Sequence, residues 1–147
     1  MVKEVEVSQA NVNSELPLSG VRILAAEQMQ SLPYATQLLA SFGAEVVKVE
    51  HPARGDLGRS GLPSTTGIDG EPVGATFLRN NIYKKSIGLD LKSTDGQHIF
   101  RKLAKNFDVV AENYKPGTME KFNLGYTDLR KVRPEIIYLS LSGFGNS

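Results

Sequence analysis

The spacing of apolar positions changes several times along this chain, and each change predicts an element. Val21, Ile23, Leu24, Ala25 and Ala26 form a short apolar run behind Ser19-Gly20, which predicts a buried strand over 21–26. Ala35, Leu38, Leu39 and Phe42 then recur at i, i+3, i+4 and i+7, placing them on one face of a helix. Pro33 suits the first turn of that helix and Gly43 its left-handed stop. Residues 45–49 read as a second strand, completing a βαβ unit. From His51 to about Ala75 the pattern disappears. Residues 52–74 contain six glycines and three prolines without periodicity, as in a loop that serves a site or moves. A strand follows over 86–91. The next helix opens on a capping-box spacing of Thr94 and Gln97, and is expected to bury Ile99, Phe100 and Leu103. Strands over 108–112 and 136–141, with a short helix near 127–132, complete the series.

Apolar runs separated by helical segments, with no tight hairpin between them, predict an α/β fold: a Rossmann-like parallel sheet with helices on both faces. Ligands in such sheets bind at the carboxyl ends of the strands. Residues 1–16 lack an apolar block and read as a flexible leader, with a short strand through Val5 and Val7 as the alternative. Residues 17–147 read as one domain.

Composition narrows the function. Apolar residues make up 40% of the 147-residue chain and charged residues 22%, as in an ordinary globular protein. With a net charge of +1, no global field draws the chain to nucleic acid or to a membrane surface, so any anionic ligand must be held by local charge. Cysteine is absent, which excludes disulfides and thiolate metal sites and suits the cytoplasm. His51 and His98 are too far apart in sequence to form a metal motif. No apolar run approaches the roughly 20 residues needed to span a bilayer. Fingerprints for dinucleotides (G-x-G-x-x-G), for the P-loop and for the G-x-S-x-G nucleophile elbow are all missing.

Four polar segments read as following the carboxyl ends of strands. Residues 27–31 (Glu-Gln-Met-Gln-Ser) open a helix whose N–H groups suit an anion or a polarised carbonyl, although a plain connecting turn is the simpler account. Residues 79–85 contain Arg79, Lys84 and Lys85 around Tyr83, a composition that fits a phosphate-bearing adenine nucleotide or, equally, a solvated basic turn. Residues 112–117 place Asn113 and Tyr114 ahead of a Pro-Gly turn. Residues 140–145 set two glycines around Phe144.

The same segments, in order, carry a family resemblance. Residues 17–24 resemble the opening "PL-x-G-[IV]-x-V-L" of the class III CoA-transferases (CaiB/BaiF), and residues 33–50 resemble that family's first helix and second strand. Gly55-Asp56 with Arg59 is similar to its "G-D-x-x-R", and residues 84–92 to its "N-K-R-S-[IV]-x-L-D-L-K". Residues 112–117 are similar to "E-N-[FY]-x-P-G", while Leu124-Gly125-Tyr126 and residues 142–145 complete the set. The resemblance implies a protein that binds coenzyme A or an acyl-CoA and moves CoA to a carboxylic acid acceptor through a carboxylate nucleophile. It places Met29, Gln30 and Ser31 near the thioester. His51, Lys84, Lys85, Asn113, Tyr114 and Lys121 would line the nucleotide and its phosphates.

Three departures stand out. The family's glycine before the helix proline is Leu32, its "N-x-N-K-R" reads Asn-Ile-Tyr-Lys-Lys at 81–85, and an arginine after Glu50 is replaced by His51. The family's nucleophilic Asp lies beyond the glycine-rich motif at 142–145, and no carboxylate here occupies its motif position. The chain by itself is therefore expected not to turn over acyl-CoA, and to associate as a homodimer or with a further C-terminal portion. A fragment of an α-methylacyl-CoA racemase and a non-catalytic CoA-binding remnant are the alternatives.

Overall fold

The computed structural model describes residues 16–145. The leader expected at 1–16 lies outside the described residues apart from Leu16, as do Asn146 and Ser147. The central strand β1 (Arg22–Ala26) feeds α1 (Ser31–Ser41), which returns to β2 (Glu45–Glu50). A 3₁₀ turn (Leu57–Ser60), β3 (Ser64–Thr66), β4 (Pro72–Gly74) and α2 (Ala75–Asn80) then lead into β5 (Lys85–Gly88). The second half runs α3 (Thr94–Ala104), β6 (Val109–Glu112), α4 (Thr118–Lys121), α5 (Tyr126–Arg130) and β7 (Ile137–Ser140).

Five strands form one parallel sheet in the order β5-β2-β1-β6-β7. The chain builds outward from β1 through β2 to β5, then crosses to the other side of β1 for β6 and β7. The strand order therefore reverses between β1 and β6, and this switch point is where open α/β sheets form their binding crevice.

Alternation along the strands sorts side chains onto two faces. Leu24, Ala26, Val49 and Val110 pack with Phe100 and Ala104 of α3 and with Met119 and Leu129 of α4 and α5. Ile23, Ala25, Val46 and Ala111 pack with Leu32 and Ala40 of α1. Helices thus cover both faces, as the sequence predicts, but unequally: among the described residues, α1 is the one helix packed on the second face. Among the described residues, no helix is long and apolar enough to cross a membrane.

Several elements differ from the sequence-based expectation. In α1 the buried positions are Leu32, Pro33, Thr36 and Ala40, whereas Leu38 and Phe42 are 38% and 51% exposed. The stripe shifts because Thr36, polar by composition, belongs inside. Its hydroxyl donates to the buried Glu27 carboxylate at 2.7 Å. The cap of α3 is Ser93, not Thr94: its hydroxyl accepts the Gly96 N–H at 3.0 Å, while the Gln97 amide donates to the Leu91 carbonyl. Phe100 is fully buried and Leu103 half-buried, but Ile99 stays 43% exposed.

The stretch between residues 51 and 75 is not structureless. It holds the 3₁₀ turn and an antiparallel hairpin of β3 with β4, both short and largely exposed, which is why no apolar period marked them. Gly74 has no room for a side chain, because a Cβ there would overlap the Gly58 carbonyl. The hairpin packs against the 3₁₀ turn through that glycine.

Candidate functional site at the strand switch point

Glu27 and Gln28 leave β1 just where β6 ends at Glu112. The Asn113 side chain joins the two loops: it accepts the Gln28 N–H and donates to the Gln28 carbonyl, both at 2.9 Å. A carboxamide is suited to this because it offers a donor and an acceptor on one planar group. Tyr114, next along, donates its N–H to the Glu112 carboxylate at 2.9 Å. Burial, followed by the negative charge of Asp56, pushes its phenol pKa up, so the hydroxyl stays protonated.

Beneath the β1 loop lies a cluster of buried charges. Lys84 contacts Glu27 at 2.6 Å, and Lys48 contacts Asp56 at 2.7 Å and Glu27 at 3.6 Å, with all four side chains at most 2% exposed. Two carboxylates against two ammonium groups leave the cluster balanced, as buried charges must be. Burial lowers the Lys84 pKa to about 8, although Glu27 opposes the shift. Lys84 also donates to the Pro33 carbonyl at 2.8 Å and so ties α1 to the start of β5.

Asp56 is the hinge between this cluster and the loop above it. One of its carboxylate oxygens accepts the Met29 N–H at 3.0 Å and the Gly58 N–H at 2.7 Å. Met29 has φ of 68°, left-handed backbone that a non-glycine residue adopts at a cost of about 1–3 kcal/mol. The hydrogen bond that its N–H donates to Asp56 holds it there. Nearby, Glu50 takes both guanidinium arms of Arg59, at 2.7 and 2.9 Å, and Arg59 lies 3.8 Å over the Phe77 ring. The long connection after β2 is thereby fixed to the end of the sheet.

These elements enclose a cleft of about 240 Å³ at the carboxyl ends of β1, β2, β5 and β6. Gln28, His51, Arg54, Lys92 and Tyr114 line it, with Leu89 and Phe122 as apolar walls. Of its four acidic members, Glu27, Glu50 and Asp56 are each paired with a cation, and Asp90 accepts the Lys92 backbone N–H at 2.9 Å. The cleft therefore offers His51, Arg54 and Lys92 to an incoming anion and an aromatic face to a flat ring.

The sequence profile of CoA-transferase family III matches residues 18–147. The chain belongs to CoA-transferase family III. It is 46% identical over 129 residues to a succinyl-CoA:mesaconate CoA-transferase of Haloarcula hispanica, covering 88% of this chain and 32% of that protein. It is 41% identical over 139 residues to the succinyl-CoA:glutarate CoA-transferase of Mus musculus, covering 95% and 31%. A CAIB/BAIF family protein of Brucella suis superposes with a TM-score of 0.83 at 36% identity, covering 90% of this chain and 35% of that one. The chain spans about a third of the length of these relatives.

Within this family III chain, the residues singled out from sequence fall in five places. His51 and Tyr114 line the cleft, and Asn113 braces it through Gln28. Lys121 is exposed at the end of α4, the helix whose Thr118 lines the cleft. Met29, Gln30 and Ser31 form the loop beside it, with Gln30 and Ser31 opening into a separate recess. Lys84 lies in the buried cluster. Lys85 is 72% exposed and pairs with Glu45 at 2.7 Å, near the amino ends of β5 and β2. Residues 79–85 enter β5 at its amino end, and so do not follow a strand as the sequence reading had it.

Arg54 and Lys92 escaped the sequence reading, although each follows a strand end closely. Lys48 and Glu50 carried a stronger signal. Charged residues within a strand buried on both faces must meet partners, and the run Glu-Val-Val-Lys-Val-Glu at 45–50 places them there.

Proposed function

We propose that this chain is the coenzyme A-binding part of a class III CoA-transferase, in which CoA passes from an acyl-CoA to a free carboxylic acid. The observation that carries the reading is the cleft at the β1–β6 switch point, where His51, Arg54 and Lys92 surround a cavity walled by Tyr114 and Phe122. Arg54 and Lys92 supply the positive charge, and Tyr114 and Phe122 the aromatic surface, that a nucleotide with several phosphates needs. In the wider exchange the acids are small dicarboxylates, by analogy with the mesaconate and glutarate enzymes named above. The racemase alternative gains no support from those relatives, which are named as CoA-transferases.

Within the cleft, Glu27 is held by Lys84 and Thr36, Glu50 by Arg59 and Ser86, and Asp56 by Lys48 and two backbone N–H groups. Paired in this way, these three are poor nucleophiles, and Asp90, the fourth carboxylate of the cleft, does not stand at the motif position where the family resemblance puts the nucleophile. The chain binds CoA, and the attacking carboxylate belongs to another part of the enzyme. The complete assembly is a homodimer, or a union with a further C-terminal portion, in the cytoplasm, where the lack of cysteine is at home.

Calorimetry of CoA binding tests this reading. The chain is expected to bind CoA, and Arg54→Ala with Lys92→Ala is expected to weaken binding about tenfold, a loss of roughly 1.4 kcal/mol. Absence of CoA binding at millimolar concentration, or an affinity indifferent to the double substitution, rejects the proposal.

A further inference from the structure

We infer that the recess between the first turn of α1 and the end of α2 is a carboxylate-binding site anchored by Asn80 and Arg79. We infer further that it receives the free acid that accepts CoA. The second step rests on the proposed function, and the first does not.

The recess has a volume of about 400 Å³ and is lined by Gln30, Ser31, Tyr34, Arg79 and Asn80. Asn80 is fully buried, yet its side-chain nitrogen has no hydrogen-bond partner among the described residues. Its oxygen is engaged, accepting from the Arg79 guanidinium at 3.3 Å. A buried donor left without an acceptor is uncommon in native proteins and calls for a missing partner. That partner must be an acceptor.

The surroundings make it an anion. Arg79 supplies a full positive charge and no acidic side chain lines the recess. The eleven-residue helix α1 begins at Ser31 without a side-chain cap and without an acid in its first turn. Its leading N–H groups and the positive end of its dipole add to the same field. A single guanidinium with one amide matches a carboxylate of one negative charge. The cleft on the other side of the loop, with His51, Arg54 and Lys92, is better supplied for phosphates.

Position suggests the role. Gln28 lines the cleft, Gln30 and Ser31 line the recess, and Met29 in its left-handed conformation separates them. One short loop thus has a nucleotide site on one side and an anion site on the other. A transfer from thioester to acid requires its two substrates to be neighbours in this way.

The test is an amide NMR titration of the 147-residue chain, with sodium succinate, neutral succinamide and inorganic phosphate as separate ligands and CoA in a further arm. Succinate is expected to shift the Asn80 side-chain amide and the Ser31 N–H saturably, and succinamide to leave both in place. Arg79→Ala, at an exposed position, and Asn80→Leu are each expected to weaken succinate about tenfold, while CoA still shifts Gln28 and Tyr114. If succinate leaves Asn80 unmoved while CoA binds, or if phosphate binds there more tightly than succinate, the carboxylate site is rejected. If succinate binds at Asn80 but CoA binds nowhere, the site stands and its role in CoA transfer falls. Should Asn80→Leu fail to fold, Arg79→Ala and the Asn80 resonances still decide the matter.

Discussion

Glu50, at the carboxyl end of β2, accepts four hydrogen bonds: two from Arg59, one from the Ser86 hydroxyl and one from the Asp56 N–H. Its burial alone would raise its pKa, but these donors outweigh that and bring it from 4.5 to about 2. A carboxyl whose folded pKa lies below its unfolded value stabilises the fold above the unfolded value, and loses that contribution as pH falls through the folded one. The depression is worth at most about 3 kcal/mol, less what the partial exposure of Arg59 removes. Glu50→Gln is therefore expected to lower stability by up to about 3 kcal/mol at pH 7. The gap to the native sequence should close as pH drops from 4.5 towards 2. Urea unfolding across that range measures it, and a gap independent of pH would contradict the assignment. At this scale the sequence was informative about type and silent about partner. Lys48 inside an apolar strand announces a buried ion pair, but only the fold shows that Asp56 answers it across the loop.

The elements that packing governs were the most legible. β1, β2 and β6 are largely buried strands in the middle of the sheet, and their predicted limits agree with the structure to within a residue. Where a polar contact sets the boundary, the reading slipped. α3 begins one residue later than a cap at Ser93, and a spacing rule could not choose between adjacent Ser93 and Thr94. Ser93→Ala should cost about 1 kcal/mol through loss of that cap. Gly96→Ala makes a sharper test. Helix propensity favours alanine by about 1 kcal/mol, yet a Cβ at Gly96 would overlap the Asp90 carbonyl. We expect the clash to win and the substitution to destabilise by about 1–3 kcal/mol in thermal unfolding. A more stable Gly96→Ala protein would show that the backbone there yields.

At the scale of the molecule, the two faces of the sheet are covered unequally. Tyr138 of β7 packs into the core beside α3, α4 and α5, so the alternate residues Ile137 and Leu139 lie on the α1 side, where they are 62% and 40% exposed. Tyr34, Leu38 and Phe42 of α1 are exposed as well, and β7 is an edge strand. Edges and apolar patches of this kind favour association. Light scattering is expected to show the chain self-associating as concentration rises, and replacing both Ile137 and Leu139 by serine to reduce that association. A monomer at all concentrations would argue that this surface needs no cover.

The sequence by itself determined the alternation of strands and helices, hence a parallel sheet, and the collinear motifs that place the chain in CoA-transferase family III. These follow from local periodicity and from short runs of residues, which a linear reading contains. Tertiary structure alone decided that Asn113 clamps the β1 loop, that Lys84 is sealed among carboxylates, and that Arg54 and Lys92 meet His51 over one cleft. Each of these joins residues brought together by strand order, and the order β5-β2-β1-β6-β7 is set by how the helices pack on the sheet, a choice that no local stretch of residues encodes.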